Sequence, residues 1–416
     1  MPSPQAGLTV DDVRAFVATH CFAPGPSARV GVEVEWLAVC ADSPQDRVPV
    51  SVVGTAGAEF AAGSRLTFEP GGQIELSAPP LQGIGPACAA LAADAALLAS
   101  ELRDHGVGLV GLGLDPRVER SRAFPSPRYD AMERYFDAFC DAGRTMMCGT
   151  AAVQVNLDVG ATADVAATRW HRAHDLGPTL AAAFANSPLA AGAPSGWKSR
   201  RLVVWDELDP DRTASAEAGP RDPAEAWLHY ALNANVMLIR ADDDRYVAQL
   251  APLTFADWIT DGHELGYPTL DDLEYHLTTL FPPVRPRGWL ELRMIDSLPD
   301  PWWRVAVAVA TTLVCDDDAA AAAAAAIAPT RGRWLDAARA GLDDPGFAAS
   351  ARSCFTAALD AMVRLGTDAT TVLAVESFVE RYVEPGRCPA DDRLDAWEAS
   401  GAVFPEPDVF AETTWV

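Results

Sequence analysis

Two short acidic segments constrain the fold of this 416-residue chain more than any other feature. In the first, Gly31-Val-Glu-Val-Glu35, apolar residues alternate with Glu33 and Glu35. Because successive side chains of a β-strand point to opposite faces, this period of two predicts a strand with both carboxylates on one face. The second segment, Glu69-Pro-Gly-Gly-Gln-Ile-Glu-Leu-Ser77, begins with a turn signal and continues as a strand with Glu75 on its polar side.

Four carboxylates on two half-polar strands need an environment that compensates their charge. Two unit charges about 4 Å apart repel by roughly 4 kcal/mol at an effective dielectric constant near 20. Such a face therefore requires either open water or bound cations. For either segment alone, a solvated acidic surface and a cation site both remain open.

Two further segments have the same two-sided character. In Thr150–Asp158, the polar side carries Gln154 and Asn156, and in Trp289–Met294 it carries Glu291 and Arg293. We expect the four strands to form one sheet whose apolar face packs on helices. The opposite face would then collect the polar side chains, with one more acid at the turn: Glu33, Glu35, Glu75, Gln154, Asn156, Glu291, Arg293 and Glu69.

The remaining pattern predicts helices around this sheet and a helical C-terminal part. Before residue 299 the predicted helices are about 9–21, 87–105, 126–141, 162–185, 222–235 and 269–280, and a further strand is predicted at 107–114. After it they are about 302–314, 319–326, 331–341, 345–364 and 368–382. No segment has the composition of a linker, so we expect one catalytic unit over 1–416, with a core sheet at about 28–298 and a helical part at about 299–416.

Composition limits the classes of partner. A formal net charge of −26 argues against nucleic acid or an anionic membrane surface as a partner. The chain has no run of 18 apolar residues and no N-terminal signal pattern, so we expect a cytoplasmic protein. Its eight cysteines form no CxxC pair and suggest neither a zinc cluster nor a disulfide framework.

One short basic segment stands out in this acidic chain. Of the 32 basic residues only Lys198 is a lysine, and it is followed by Ser199, Arg200 and Arg201. On a predicted loop, these side chains are candidates for binding phosphate or carboxylate groups. A solvated basic turn is the alternative.

Carboxylate and amide oxygens on one face suit Mg²⁺ or Mn²⁺ better than zinc. Magnesium in proteins is commonly bound by a few carboxylates and by substrate phosphates, and neighbouring arginines can bind the same phosphates. The expected chemistry is phosphoryl transfer from a nucleotide. The chain has no GxxxxGK[ST] motif, which argues against a P-loop protein.

Five motifs in order resemble the glutamate-cysteine ligases of plants and bacteria, with the greatest likeness to the actinobacterial ligases of ergothioneine biosynthesis. Order and rough spacing agree from about residue 28 to 315. The motifs are Gly31-Val-Glu-Val-Glu35, Glu69-Pro-Gly-Gly-Gln-Ile-Glu75, Thr150-Ala-Ala-Val-Gln-Val-Asn156, Trp197-Lys-Ser-Arg200 and Phe281-Pro-Pro-Val-Arg-Pro-Arg-Gly-Trp-Leu-Glu-Leu-Arg293.

The resemblance implies an α+β, glutamine-synthetase-like fold with a largely antiparallel sheet. Its polar face would bind ATP and two or three Mg²⁺ ions, with Mn²⁺ as a possible substitute, and helices would cover the other face. ATP would phosphorylate the side-chain carboxylate of L-glutamate. The amine of L-cysteine would then attack the acyl phosphate and give γ-glutamylcysteine.

The resemblance also implies roles for individual residues. Arg293 would neutralise the γ-phosphate, and Arg200, with Lys198, Ser199 and Arg201, would bind phosphate or the glutamate carboxylate. The metal ligands would be Glu33, Glu35, Glu69, Glu75 and Glu291, with neutral oxygens from Gln154 and Asn156. Two alternatives stay open: a ligase that joins glutamate to another amine, and a non-catalytic protein that binds divalent cations.

Overall fold

The computed structural model describes residues 7–25, 28–54, 59–216, 222–242 and 245–408. Within these ranges the strands are β1 (Arg29–Cys40), β2 (Ser43–Arg47), β3 (Arg65–Phe68), β4 (Ile74–Ser77), β5 (Leu81–Gln82), β6 (Val107–Val110), β7 (Ala152–Asp158), β8 (Leu189–Ala190), β9 (Ala193–Pro194), β10 (Leu238–Asp242), β11 (Arg245–Ala248), β12 (Val284–Pro286) and β13 (Trp289–Asp296).

The helices of the first two thirds are α1 (Val10–Phe16), α2 (Val50–Val53), α3 (Ile84–Asp104), α4 (Pro127–Phe139), α5 (Gly143–Gly149), α6 (Ala163–Ala183), α7 (Arg200–Asp206), α8 (Pro210–Thr213), α9 (Pro223–Asn233), α10 (Phe255–Asp261) and α11 (Leu270–Leu277). Those that follow the last strand are α12 (Trp302–Cys315), α13 (Asp317–Ile327), α14 (Trp334–Ala340), α15 (Pro345–Leu365), α16 (Ala369–Phe378) and α17 (Pro389–Ser400).

The four predicted two-sided strands are consecutive neighbours in one antiparallel sheet. The sheet runs in the order β12-β13-β7-β1-β4-β3, while β2, β5 and β6 pair with other parts of β1. The register sets Glu33 opposite Gln154 and Glu35 opposite Glu75. The expected α+β architecture, with a largely antiparallel sheet that is polar on one face, is therefore confirmed.

The apolar face of the sheet is covered by helices. Val32, Val34 and Trp36 of β1 are fully buried, and α3, α6 and α12 pack against the sheet. Helix α12 also contacts α13, α15 and α16, so the helical C-terminal part continues the same hydrophobic core. Full burial of one such side chain contributes about 1.5–3 kcal/mol, and α12 contributes a continuous run of them.

Helix α3 is long and apolar enough, by length and composition, to cross a membrane, and it is the one such helix in the described ranges. However, Leu91, Leu98 and Leu102 are fully buried in the main core, and the helix contacts β1, β6 and α12. This is the placement of a core helix.

The structure shortens one predicted strand and adds a helix at the C-terminal end of the described residues. The strand predicted at 107–114 ends at Val110 in the structure. Its partner is β1, and the part of β1 that runs from Val34 back to the start of that strand pairs with β7 instead. Beyond β6, Gly113 and Asp115 hydrogen-bond to the backbone just ahead of β7. Helix α17 was not predicted, since its sequence is polar and gives little helical periodicity.

Candidate active site

A cavity of about 390 Å³ opens on the polar face of the sheet. Its lining combines carboxylates, arginines and large apolar side chains. Its charged lining consists of Glu33, Glu35, Glu69, Glu75, Glu291, Arg65, Arg128, Arg201, Arg285, Arg287 and Arg293.

Three carboxylates meet within this cavity. One oxygen from each of Glu35, Glu69 and Glu75 lies within 4.8 Å of the other two. Sheet register places Glu35 beside Glu75, while Glu69 arrives from the turn between β3 and β4. That turn is closed by a hydrogen bond of 2.8 Å from the Gly72 amide to the Glu69 carbonyl, and Gly72 has a φ of 90°, which favours glycine.

Burial and neighbouring charge make two of these acids, Glu35 and Glu69, hard to ionise. Burial, followed by the charge of Glu75, raises the pKa of Glu69 to about 7. Burial and the charges of Glu69 and Glu75 raise the pKa of Glu35 well above its usual value. A bound cation would remove both penalties by supplying the opposite charge inside the cavity.

Glu33 lies two residues before Glu35 on the same face of β1 and has a similar environment. Burial and the charges of Glu291 and Glu75 raise the pKa of Glu33 to about 7. The Asn156 amide donates to Glu33 at 2.8 Å, and the buried Oδ1 of Asn156 has no hydrogen-bond partner in the described part of the chain. An acceptor oxygen without a partner beside raised-pKa carboxylates fits a cation.

Gln154 connects the carboxylates to the arginines. Its Nε2 donates to Glu35 at 3.1 Å, and its Oε1 accepts from Nη1 of Arg293 at 2.6 Å. Glu35 also accepts from the Ala152 amide at 2.8 Å. The donor set as a whole consists of carboxylate and amide oxygens, which is the chemistry of Mg²⁺ or Mn²⁺ sites.

Glu291 has different neighbours from the other acids. It accepts two hydrogen bonds from Arg285, at 2.5 and 3.1 Å, and one of 3.2 Å from Arg293. Burial opposes its charge, but Arg285 and Arg293 outweigh burial and lower the pKa of Glu291 to about 2. Glu291 thus organises arginines in this structure and lies apart from the group formed by Glu35, Glu69 and Glu75.

The structure corrects the interpretation of residues 198–201 as a basic loop. Helix α7 begins at Arg200, and Ser199 caps it by accepting a hydrogen bond of 3.3 Å from Leu202. Because successive residues of a helix point about 100° apart, the cations diverge. Arg201 lines the cavity, Arg200 pairs with Glu207 at 2.8 Å, and Lys198 pairs with acids of the C-terminal part.

Arg201 is a buried cation in the lining of the cavity. Its Nη2 donates to the carbonyl of Arg293 at 2.9 Å, and Asp296 lies 3.8 Å from its Nη1. Its Nε and Nη1 are buried and make no hydrogen bond among the described residues. Arg201 lines the cavity, and a guanidinium in the cavity wall is suited to an anionic group of a ligand.

The chain matches the family profile described as glutamate-cysteine ligase family 2 (GCS2) over residues 29–407. The chain belongs to this family. It is 43% identical over 408 residues to the glutamate–cysteine ligase EgtA of Mycolicibacterium smegmatis, an alignment that covers 94% of this chain and 93% of that protein. It is 34% identical over 252 residues to the chloroplastic glutamate–cysteine ligase of Medicago truncatula, covering 59% of this chain and 49% of that one.

A solved structure extends the likeness to the ligase fold. The glutamate–cysteine ligase of Francisella tularensis, determined in complex with AMP, superposes with a TM-score of 0.53 at 15% identity. The superposition covers 91% of this chain and 86% of that one. At this identity the likeness shows a shared fold.

Sequence reasoning missed several cavity residues of this ligase-family chain. Arg285 and Arg287 lie inside the motif at 281–293, so a signal for them was present. No sequence pattern marked the apolar wall of the cavity. Its residues come from three helices and one loop, which only the tertiary fold brings together. The wall consists of Tyr129, Met132, Met146, Met147, Trp205 and Phe281.

Proposed function

We propose that this chain is an ATP-dependent glutamate–cysteine ligase. It joins the γ-carboxylate of L-glutamate to the amine of L-cysteine through a γ-glutamyl phosphate, and the γ-glutamylcysteine serves ergothioneine biosynthesis. The observation that carries the proposal is a single cavity lined both by a group of three carboxylates and by several arginines. Identity of 43% to a mycobacterial EgtA over 94% of the chain supports the same activity.

Divalent metal would be held first of all by the carboxylates of Glu33, Glu35, Glu69 and Glu75. Gln154 and Asn156 would add neutral oxygens, and Glu291 would join them if its arginines turned toward phosphate. Bound Mg²⁺ supplies positive charge that neutralises the phosphates of ATP. The raised pKa values of Glu33 and Glu69, both about 7, support this assignment, because a cation restores ionisation at neutral pH.

The arginines provide the positive charge contributed by the protein. Arg293 sits between Gln154 and Glu291, where its guanidinium can bind the transferring phosphoryl group and stabilise the charge that develops on it. Arg285 and Arg287 flank the same acid and extend the array toward the nucleotide phosphates. The AMP in the Francisella ligase that shares this fold supports nucleotide use.

The two substrates that are joined need different surroundings. The guanidinium of Arg201, which lines the cavity, would bind a carboxylate of L-glutamate. The wall of methionine and aromatic side chains is soft and polarisable, which suits the thiol side chain of L-cysteine. We assign both substrates to this cavity, and we expect the enzyme to work in the cytoplasm without a nucleic-acid or membrane partner.

The test is ADP release from Mg-ATP and L-glutamate, with and without L-cysteine, with the product identified by mass. We expect ADP and γ-glutamylcysteine in equal amounts, and no turnover after EDTA treatment. Glu35→Gln is the matched variant, because it removes one ligand charge at constant size and should be folded but inactive. Turnover that ignores cysteine but responds to another amine would overturn the cysteine assignment, and an active Glu35→Gln enzyme would overturn the proposed metal site.

A further inference from the structure

Lys198, the single lysine of the chain, is held between two carboxylates of the C-terminal helical part. Its Nζ lies 2.8 Å from Asp343 and also donates to Asp391 at the start of α17. The side chains of Lys198 and Asp391 are each only 12% exposed. Burial opposes the ammonium charge, but the hydrogen bonds to Asp343 and Asp391 outweigh burial and raise the pKa of Lys198.

The backbone around Lys198 is attached to the same part of the molecule. The amides of Lys198 and Ser199 both donate to the carbonyl of Ala338 in α14, each at 2.9 Å. The guanidinium of Arg339 stacks over the Trp197 ring at 4.6 Å from its centroid. The segment that leads into α7 is therefore fixed to the C-terminal helical part by two ion pairs, two backbone hydrogen bonds and a cation–π contact.

The other end of this segment leads directly to the cavity. Ser199, next to Lys198, donates to the buried Asp296 at 2.9 Å while capping α7. The amide of Arg201 donates to Ser187 at 3.1 Å, and its guanidinium lines the cavity. The first turn of α7 thus lies between the Lys198 ion pairs on one side and the proposed substrate cavity on the other.

We propose that Lys198 is a positioning residue, which together with Asp343, Asp391 and the C-terminal helices orients α7 so that Arg201 faces the substrate. The proposal rests on the proposed function for the identity of the reaction. It replaces the expectation that Lys198 itself binds phosphate or glutamate. One ammonium group shared by two carboxylates has no net positive charge left to attract an anionic substrate.

The decisive comparison is between Lys198→Met and the double variant Asp343→Asn/Asp391→Asn. A positioning role predicts the same loss of activity in both variants, because each removes the ion pairs between Lys198 and the two aspartates. Neither aspartate lines the cavity. We expect kcat/KM for L-glutamate to fall by at least about tenfold in both, since small misplacement of a binding group costs up to about 100-fold. Combining all three changes should give no further loss, because the groups act as one unit.

Two further variants complete the design. Lys198→Arg keeps the charge and should recover most of the activity lost in Lys198→Met. Arg172→Met is the matched control, because Arg172 also joins the core to the C-terminal helices, through Asp317 at 2.7 Å, but lies on α6 and does not line the cavity. It should keep wild-type kcat/KM. Hydrogen exchange of residues 200–206 should be faster in Lys198→Met and in the double aspartate variant, and unchanged in Arg172→Met.

The outcomes separate this inference from the proposed function. Loss of activity in Lys198→Met with wild-type activity in the double aspartate variant would mean that the lysine acts on substrate, and would overturn the inference. Unchanged exchange of 200–206 in both variants would also overturn it. Failure of the proposed function would appear in the wild-type protein, as absence of cysteine-dependent ADP release. The exchange measurement needs no substrate and would then still decide whether Lys198 fixes α7.

Discussion

Replacing Glu33 with glutamine should stabilise the metal-free protein while it abolishes ligation. The substitution removes one charge from the carboxylate group and keeps an oxygen that can accept the hydrogen bond from Asn156. Burial and the charges of Glu291 and Glu75 raise the pKa of Glu33 from 4.5 to about 7, so the folded chain must hold an unfavourable charge at neutral pH.

The size and the pH range of this effect follow from proton linkage. A rise from 4.5 to about 7 corresponds to roughly 3 kcal/mol. Because the folded state has the higher pKa, it binds the proton more tightly, and the free energy of unfolding decreases as pH rises from 4.5 through about 7. The penalty is complete above that range and absent below it. Glutamine has no such dependence.

The assay is urea unfolding of metal-free protein at pH 8 and pH 5. At pH 8 the Glu33→Gln protein should be more stable than wild type by up to roughly 3 kcal/mol, and at pH 5 by less than about 1 kcal/mol. Glu398→Gln, on the exposed face of α17, should change stability by less than about 0.5 kcal/mol at either pH. Equal stability of wild type and Glu33→Gln at pH 8 would refute the reasoning.

Two other substitutions test the arginines. Arg293→Lys keeps the charge but loses the planar guanidinium that reaches Gln154 and Glu291, so kcat for ADP release should fall by about 100-fold. An unchanged kcat would show that Arg293 does not bind the transferring phosphoryl group. Arg212→Met removes a fully buried guanidinium that bonds Asp209 and Tyr135, and should lower the free energy of unfolding by about 3–5 kcal/mol in urea. A loss below about 1 kcal/mol would contradict this.

The strands of the site were predictable from sequence, because alternation of apolar and polar residues determines which side chains share a face. Glu33 and Glu35 had to lie together on β1, and Glu291 with Arg293 on β13. The order of strands in the sheet was not contained in that pattern. Only the tertiary structure shows that Glu75 is opposite Glu35 and that Asn156 is opposite Glu291.

The roles of the basic residues at 198–201 could not be predicted from the local sequence. The sequence gives no reason to distinguish the three cations of this segment. In the structure, Ser199 caps a helix that begins at Arg200, and the three side chains point in different directions. Each cation has its own partners: Glu207 for Arg200, Asp296 for Arg201, and the distant Asp343 and Asp391 for Lys198. The methionine and aromatic wall was invisible for the same reason, since each of its residues reads alone as ordinary core.

The ion-paired position of the single lysine has a practical consequence for chemical labelling. Acylating reagents attack unprotonated amines, and Lys198 is kept protonated and largely buried by its two carboxylate partners. In the native protein, such reagents should therefore react with the α-amino group first. Acylation of Lys198 would follow only when its ion pair with Asp391 of α17 opens, so the extent of labelling at this side chain would report how often that ion pair opens.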